Sequence, residues 1–333
     1  MKIIALLPIK NEAWILPTFL SSIKNIADEI LVLDDNSKDE SAKILEKAGV
    51  LIIKQGLVSE KIKNMSVLRQ ALLETGRKRG GTHFIWLDAD EAFSANFLQN
   101  GRKIIEGLKP GEKLTMRWIA LWKSPRQYFS GRGIWSEGYK DFIVHDLPEY
   151  CFPDRNLSED RTEGPSRDNL TKLPPEEGVV LHFQFVFWRK LQIKQAWYRC
   201  QELIKNPKGS YSINCTYATT MDDSGAETSP VPQEWLDGIV LPQESGEEGA
   251  KLQLEEIFSL FNQYNVKFFE PLEIWHVPEL KSEFIKKMGR EPKPRHPSSR
   301  YWKTVHWLKY APRKKISRLI PQKLKNYLKR GGK

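Results

Sequence analysis

Three times in its first ninety residues the chain runs through a short apolar segment and then meets acids, and this repeat constrains the fold more than any other feature. Ile3-Ile4-Ala5-Leu6-Leu7 leads to Glu12, Glu29-Ile30-Leu31-Val32-Leu33 to Asp34 and Asp35, and Phe84-Ile85-Trp86-Leu87 to Asp88 and Asp90. Apolar runs of this length without alternation mark strands covered on both faces, as in a parallel sheet. Between the first two, Pro17 suits the first turn of a helix, and Phe19, Leu20, Ile23 and Ile26 repeat at helical spacing. A helix over 41–48, a short strand over 50–54 and a longer helix over 61–79 complete a β-α-β-α-β-α-β alternation. Short connections in such a series call for a parallel sheet with right-handed crossovers. Ligands of open α/β sheets bind outside the carboxyl ends of the strands, where these acids fall.

Asp88-Ala89-Asp90 supports two local readings. Two carboxylates one residue apart offer hard oxygen ligands to a divalent cation that keeps waters and shares substrate phosphates. They also suit the start of the following helix, where Ser94 is a rival cap. No Gly-x-Gly-x-x-Gly follows the first strand and no Gly-x-x-x-x-Gly-Lys-Ser/Thr occurs, which removes the main support for a dinucleotide-binding domain or a P-loop nucleotidase. Acids aimed into one crevice repel a bare phosphate, so an anionic ligand there needs a cation between them. A sugar, a base and a metal-bridged diphosphate answer that description.

Four segments, in this order and spacing, resemble the successive signatures of family 2 glycosyltransferases. They are Leu7-Pro8-Ile9-Lys10-Asn11-Glu12, Val32-Leu33-Asp34-Asp35-Asn36-Ser37-Lys38-Asp39, Met65-Ser66-Val67-Leu68-Arg69-Gln70 and Phe84-Ile85-Trp86-Leu87-Asp88-Ala89-Asp90-Glu91. The resemblance covers about residues 1–125 well and 140–205 loosely. It implies a GT-A α/β fold and inverting transfer from a nucleotide-diphospho sugar with Mn2+ or Mg2+. Carried over residue by residue, Pro8, Asn11 and Glu12 line the nucleoside pocket, and Asp35, with Asp34 beside it, reads base or ribose. Arg69 meets the diphosphate, as a planar guanidinium suits. Asp88 faces ribose and metal, and Asp90 binds the metal. Read singly, Asp34 to Ser37 is equally a strand-to-helix turn and Arg69 a solvated helix residue.

Beyond this, Ser94 to Gly107 reads as a helix and Lys113 to Trp122 as a strand with Leu114, Met116, Trp118 and Ala120 on one face. The 131–135 and 148–175 stretches, rich in Pro, Gly and charge, read as loops where an acceptor would bind. Inverting transfer needs a carboxylate base opposite the leaving diphosphate. Asp146, Glu149, Glu159, Asp160 and Glu163 are candidates, Asp160 first with Glu159 beside it. Gly178 to Phe185 is a further strand, and its His182 is either a core histidine or a third metal ligand. Trp188, Arg189, Lys190, Lys194, Trp197 and Tyr198 supply the aromatic and basic helix that follows in related glycosyltransferases. Residues 205–248 read as an irregular excursion, and Leu252 to Tyr264 as a helix.

These elements group as a catalytic domain over 1–205, with its nucleotide-binding half over 1–125 and its acceptor half over 126–205. An irregular and helical extension over 206–299 and a basic tail over 300–333 follow. No apolar run approaches the roughly 20 residues of a membrane span, and Ile3 to Ile9 is too short for a signal peptide. Cytoplasmic residence follows as the expectation, and it leaves the sequons at Asn156, Asn169 and Asn214 without consequence. Three spaced cysteines make neither a disulfide framework nor a thiolate metal site. Net charge is +10, and twelve Lys or Arg lie within 300–333, where no acid occurs. Interleaved with Trp302, Trp307, Leu319 and Ile320, they suit short amphipathic helices on anionic lipid or packed on the domain. Nucleic acid ranks below both, given the acidic crevice. The expected partners are a nucleotide-sugar donor and a glycan or lipid-linked acceptor, with peripheral contact to an anionic inner membrane face as one of the two readings of the 300–333 tail. Rival readings are a sugar nucleotidyltransferase, which would want a Gly-rich basic loop after the first strand, and a non-catalytic membrane- or nucleic-acid-binding protein.

Overall fold

The computed structural model describes residues 1–54, 65–131, 138–152, 169–218, 226–243, 247–294 and Thr304. The alternation of the first ninety residues forms as expected. β1 (Ile3–Ile9), α1 (Leu16–Ile23), β2 (Glu29–Asp34), α2 (Ser41–Lys47), β3 (Leu51–Lys54), α3 (Met65–Lys78) and β4 (His83–Ile85) follow in turn. β1 pairs in parallel with β2 on one side and β4 on the other, and β2 with β3. The chain therefore leaves β1 in one direction and returns on its opposite side, which puts the topological switch point between β1 and β4. Their pairing stops at Ala5 opposite Ile85, whereas β1 and β2 stay paired to Ile9 opposite Asp34. Pro8, with no N–H to donate, lies in the stretch where β4 no longer accompanies β1.

Both faces of β1 are covered, which is why its sequence does not alternate. Ile3, Ala5, Leu7 and Ile9 pack with Phe19 and Ile23 of α1, while Ile4 and Leu6 pack with Leu68, Leu72 and Leu73 of α3 and with Phe84.

β5 (Glu91–Phe93), α4 (Ala95–Glu106), β6 (Lys113–Ala120), β7 (Gln127–Phe129), β8 (Tyr139–His145), β9 (Leu170–Lys172) and β10 (Val179–His182) come next. Among the described residues the sheet runs β3-β2-β1-β4-β8-β6-β10-β5, with β9 beside the start of β6. β8 is antiparallel to both its neighbours, and β5 is antiparallel to β10. β6 is buried on both faces, Ile119 as fully as Trp118, so the one-sided pattern expected there does not hold. The 148–175 stretch, expected as loop, contributes β9.

α5 (Trp188–Lys205), α6 (Ser210–Thr216), β11 (Thr228–Pro230), α7 (Glu247–Tyr264) and α8 (Pro278–Met288) complete the described elements. Residues 205–248 are thus less irregular than expected: α6 forms, β11 pairs with β7, and 233–235 makes a 3-10 turn. Ile193, Ala196, Cys200 and Leu203 of α5 share a helical core with Ile257 and Phe261 of α7 and Phe284 of α8. Asn214 is fully buried, its amide bonded to the Pro271 carbonyl and the Glu273 N–H. The basic tail over 300–333, apart from Thr304, lies outside the described residues. No helix among the described residues is long and apolar enough to cross a membrane.

Candidate active site

Two loops open the site at the ends of β1 and β2, and they are tied to each other. Asn11 and Asn36 both adopt the left-handed backbone region, each with φ of 56°, which asparagine tolerates better than most residues. The N–H of Asn11 donates to Ser37 Oγ at 2.9 Å, and the N–H of Lys38 donates to Asn11 Oδ1 at 2.7 Å. Glu12 N–H reaches Ser41 Oγ at 3.0 Å, and Ala13 N–H reaches Asp39 Oδ2 at 3.0 Å. Asp34 Oδ1 accepts from the Ser37 N–H at 2.9 Å, so its carboxylate shapes the turn. Asp35 has Lys10 Nζ 4.0 Å away; that ammonium also lies 2.8 Å from Glu256 of α7.

Across the parted strands stands the turn 88–91. The Asp88 N–H donates to Glu91 Oε2 at 2.8 Å, the Glu91 N–H donates back to the Asp88 carbonyl at 2.9 Å, and Trp118 Nε1–H donates to Glu91 Oε1 at 2.8 Å. A buried glutamate thus holds the turn from inside, bonded by an indole on β6. Trp118→Phe removes that donor and should cost about 1–3 kcal/mol, because a buried carboxylate loses a hydrogen bond. Chemical denaturation of the variant beside the wild type measures it.

Arg69 of α3, 4% exposed, places Nη2 2.9 Å from Asp88 Oδ1. Asp90 is buried; its Oδ1 lies 3.5 Å from His182 Nε2 and its Oδ2 accepts from Lys194 Nζ at 2.9 Å. Register explains the meeting with His182: β5 and β10 pair with His182 opposite Glu91, and Phe183 N–H donates to the Asp90 carbonyl at 2.8 Å. The His182 ring lies over Trp118, centroids 4.3 Å apart, and its Nδ1 is buried with no hydrogen-bond partner among the described residues.

Glu12 faces both lysines of α5, with Lys190 and Lys194 each at 3.7 Å, and accepts from Trp14 Nε1–H at 2.8 Å. Burial disfavours the Asp90 carboxylate, but Lys194 and His182 outweigh it and hold Asp90 well below the usual carboxylate range. Burial likewise disfavours the Lys194 ammonium, and Asp90 overrides it, so Lys194 is raised well above an ordinary lysine.

Lys190 behaves oppositely. Burial depresses it to about 8 in spite of Glu12, and its ammonium lies 3.6 Å from the Trp14 ring centroid. A lysine depressed in the folded state binds fewer protons there than when unfolded, so its penalty is full below pH of about 8 and eases towards the unfolded value. The wild type should gain stability, on the order of 1–3 kcal/mol, between pH of about 8 and 10.5, relative to Lys190→Met. Urea denaturation of both proteins across that range tests the slope.

Of the residues expected at the site, Arg69 pairs with Asp88, Asp90 lies beside His182, and Glu12 is linked to Asp90 through Lys194. Asn11 and Asp34 hold the loops. The expected bases Glu159 and Asp160, and Glu163 with them, lie outside the described residues. Asp146 pairs with Arg77 at 2.7 Å, and Glu149 is exposed. Sequence reasoning passed over Glu91 and Trp118, and saw Lys190 and Lys194 only as members of a basic helix. Their spacing of four residues on that helix was the available signal.

Carboxylate oxygens and an imidazole nitrogen are donors that Mn2+ or Mg2+ accepts, with other positions left to water and phosphate. Asp90 and His182 fit such an ion. Among the described residues no three His, Cys, Asp or Glu side chains converge as a complete metal cluster.

Residues 5–110 match the family model described as Glycosyl transferase family 2. The matched region contains the crevice between β1 and β4, Arg69 and the Asp88 to Glu91 turn, and the sheet around it is mixed and flanked by helices. Comparison with curated proteins finds no match. Among solved structures, S. aureus TarS 1-349 is 14% identical and is covered over 93% of this chain and 89% of that one, with a TM-score of 0.38. Glucosyl-3-phosphoglycerate synthase from Mycobacterium tuberculosis, in complex with Mn2+, uridine diphosphate and glucosyl-3-phosphoglycerate, is 19% identical. It is covered over 36% of this chain and 44% of that one, with a TM-score of 0.27.

Proposed function

We propose that the chain is an inverting glycosyltransferase that moves a sugar from a nucleotide-diphospho donor to a glycan or lipid-linked acceptor. The observation that carries this reading is the turn after β4, where Asp88 pairs with Arg69 and Asp90 lies beside His182, inside or beside the region matched to the family model. Asp90 and His182 would hold a Mn2+ or Mg2+ ion, with Asp88 beside it. When bound, that ion neutralises charge on the leaving diphosphate. Arg69 supplies a guanidinium at the same edge, and Pro8, Asn11, Glu12, Asp34 and Asp35 frame the nucleoside side. Asp160, with Glu159 next to it, is the proposed base that takes the proton of the acceptor hydroxyl. The basic 300–333 segment would rest on an anionic membrane face on the cytoplasmic side.

A panel of nucleotide-sugars with Mn2+, read by thermal shift, tests the donor half. One base class should raise Tm by several degrees, since a ligand selective for the folded state stabilises it. No shift with any donor at millimolar concentration would sink the reading.

A further inference from the structure

Lys194 reaches the site from α5 and sets its ammonium 2.9 Å from Asp90 Oδ2 and 3.7 Å from Glu12 Oε1, with a side chain only 13% exposed. A positive charge therefore already sits on the carboxylate that the proposed function assigns to a divalent ion. Two cations on one buried carboxylate repel each other strongly where water screens little. If a dication is to bind Asp90, the ammonium needs another anion. Glu12 is a poor refuge, because it already faces Lys190 and accepts from Trp14. A donor diphosphate brings new anionic oxygens to the same crevice, and the lysine stem is long and flexible enough to turn towards them.

We propose that Lys194 is a resident counter-cation of Asp90, which yields that carboxylate to a divalent ion when a nucleoside diphosphate arrives to take the ammonium. This rests on the metal role given to Asp90. Its consequence is that metal and nucleotide bind cooperatively, each strengthening the other by the same factor. Lys190, one turn earlier, keeps its place between Glu12 and the Trp14 ring, so the exchange involves Lys194 alone.

Binding of Mn2+ alone, followed by the electron paramagnetic resonance of the free ion, reads the idea without any activity assay. It is measured in the wild type, Lys194→Met, Lys194→Arg and Asp90→Asn, then repeated with UDP, GDP and dTDP in turn. Lys194→Met should bind Mn2+ alone about tenfold more tightly than the wild type, and the gain produced by a nucleoside diphosphate should shrink by a similar factor. Lys194→Arg, which keeps the charge, should resemble the wild type. If Lys194→Met loses its thermal transition, Lys194→Gln takes its place. Mn2+ affinity unchanged in the Lys194 variants, while Asp90→Asn abolishes it, overturns the counter-cation proposal and leaves the metal site standing. Mn2+ binding unchanged in Asp90→Asn overturns the metal role, and the proposal with it.

Discussion

Asp90→Ala is expected to lower sugar transfer by on the order of 10²–10⁴-fold, since a metal ion supplies several kcal/mol of charge stabilisation in such reactions. It should also weaken the fold. Removing one partner of a buried ion pair typically costs about 3–5 kcal/mol, and the cost here should fall at the lower end because Glu12 remains 3.7 Å from Lys194. The two effects separate by pH. The Asp90 carboxylate titrates well below its unfolded counterpart, so the stability it contributes is complete above the unfolded value and is lost as pH falls through the folded one. The stability gap between wild type and variant should therefore close in acid, and denaturant midpoints measured down to pH of about 2 would show it. Transfer and Mn2+ binding both within twofold of wild type would end the metal assignment.

Arg69→Ala carries the second large effect. Arg69 is 4% exposed and bonded to Asp88 Oδ1 at 2.9 Å, so truncation takes that bond from the carboxylate and removes the cation that the proposed function sets against the diphosphate. Loss of a hydrogen bond to a charged group costs about 1.5–3 kcal/mol, which corresponds to roughly 10–100-fold in KM for the donor. Arg69→Lys should recover little, because an ammonium lacks the planar fork. Steady-state kinetics against donor concentration decide it: a KM for the donor within twofold of wild type in Arg69→Ala would exclude Arg69 from donor binding.

Much of this was legible in the sequence where burial alone shaped it. β1, β2 and β4 read as apolar runs with little alternation, so their order and the position of the acids followed directly. β8 escaped notice because Tyr139-Lys140-Asp141 opens it with polar side chains, and only Phe142 to Val144 is buried. β5 is three residues long and begins with a buried glutamate, a pattern that local propensity does not favour. The acids of the site were visible, but their partners were not. Lys190 and Lys194 are buried against them, whereas lysines are ordinarily read as solvated. Those contacts depend on α5 folding back towards the ends of β1 and β4, which no local pattern states.

The pairing of β5 with β10 has a consequence for how such a protein can diversify. Glu91 and His182 face each other across two adjacent strands, so the long stretch of chain between them departs and returns at one place. Loop-closure entropy grows only slowly with length, so surface segments within that stretch can be lengthened, shortened or exchanged at small thermodynamic cost. Loops between those strands can therefore vary while β5 and β10 stay paired and the sheet strands between them stay in place.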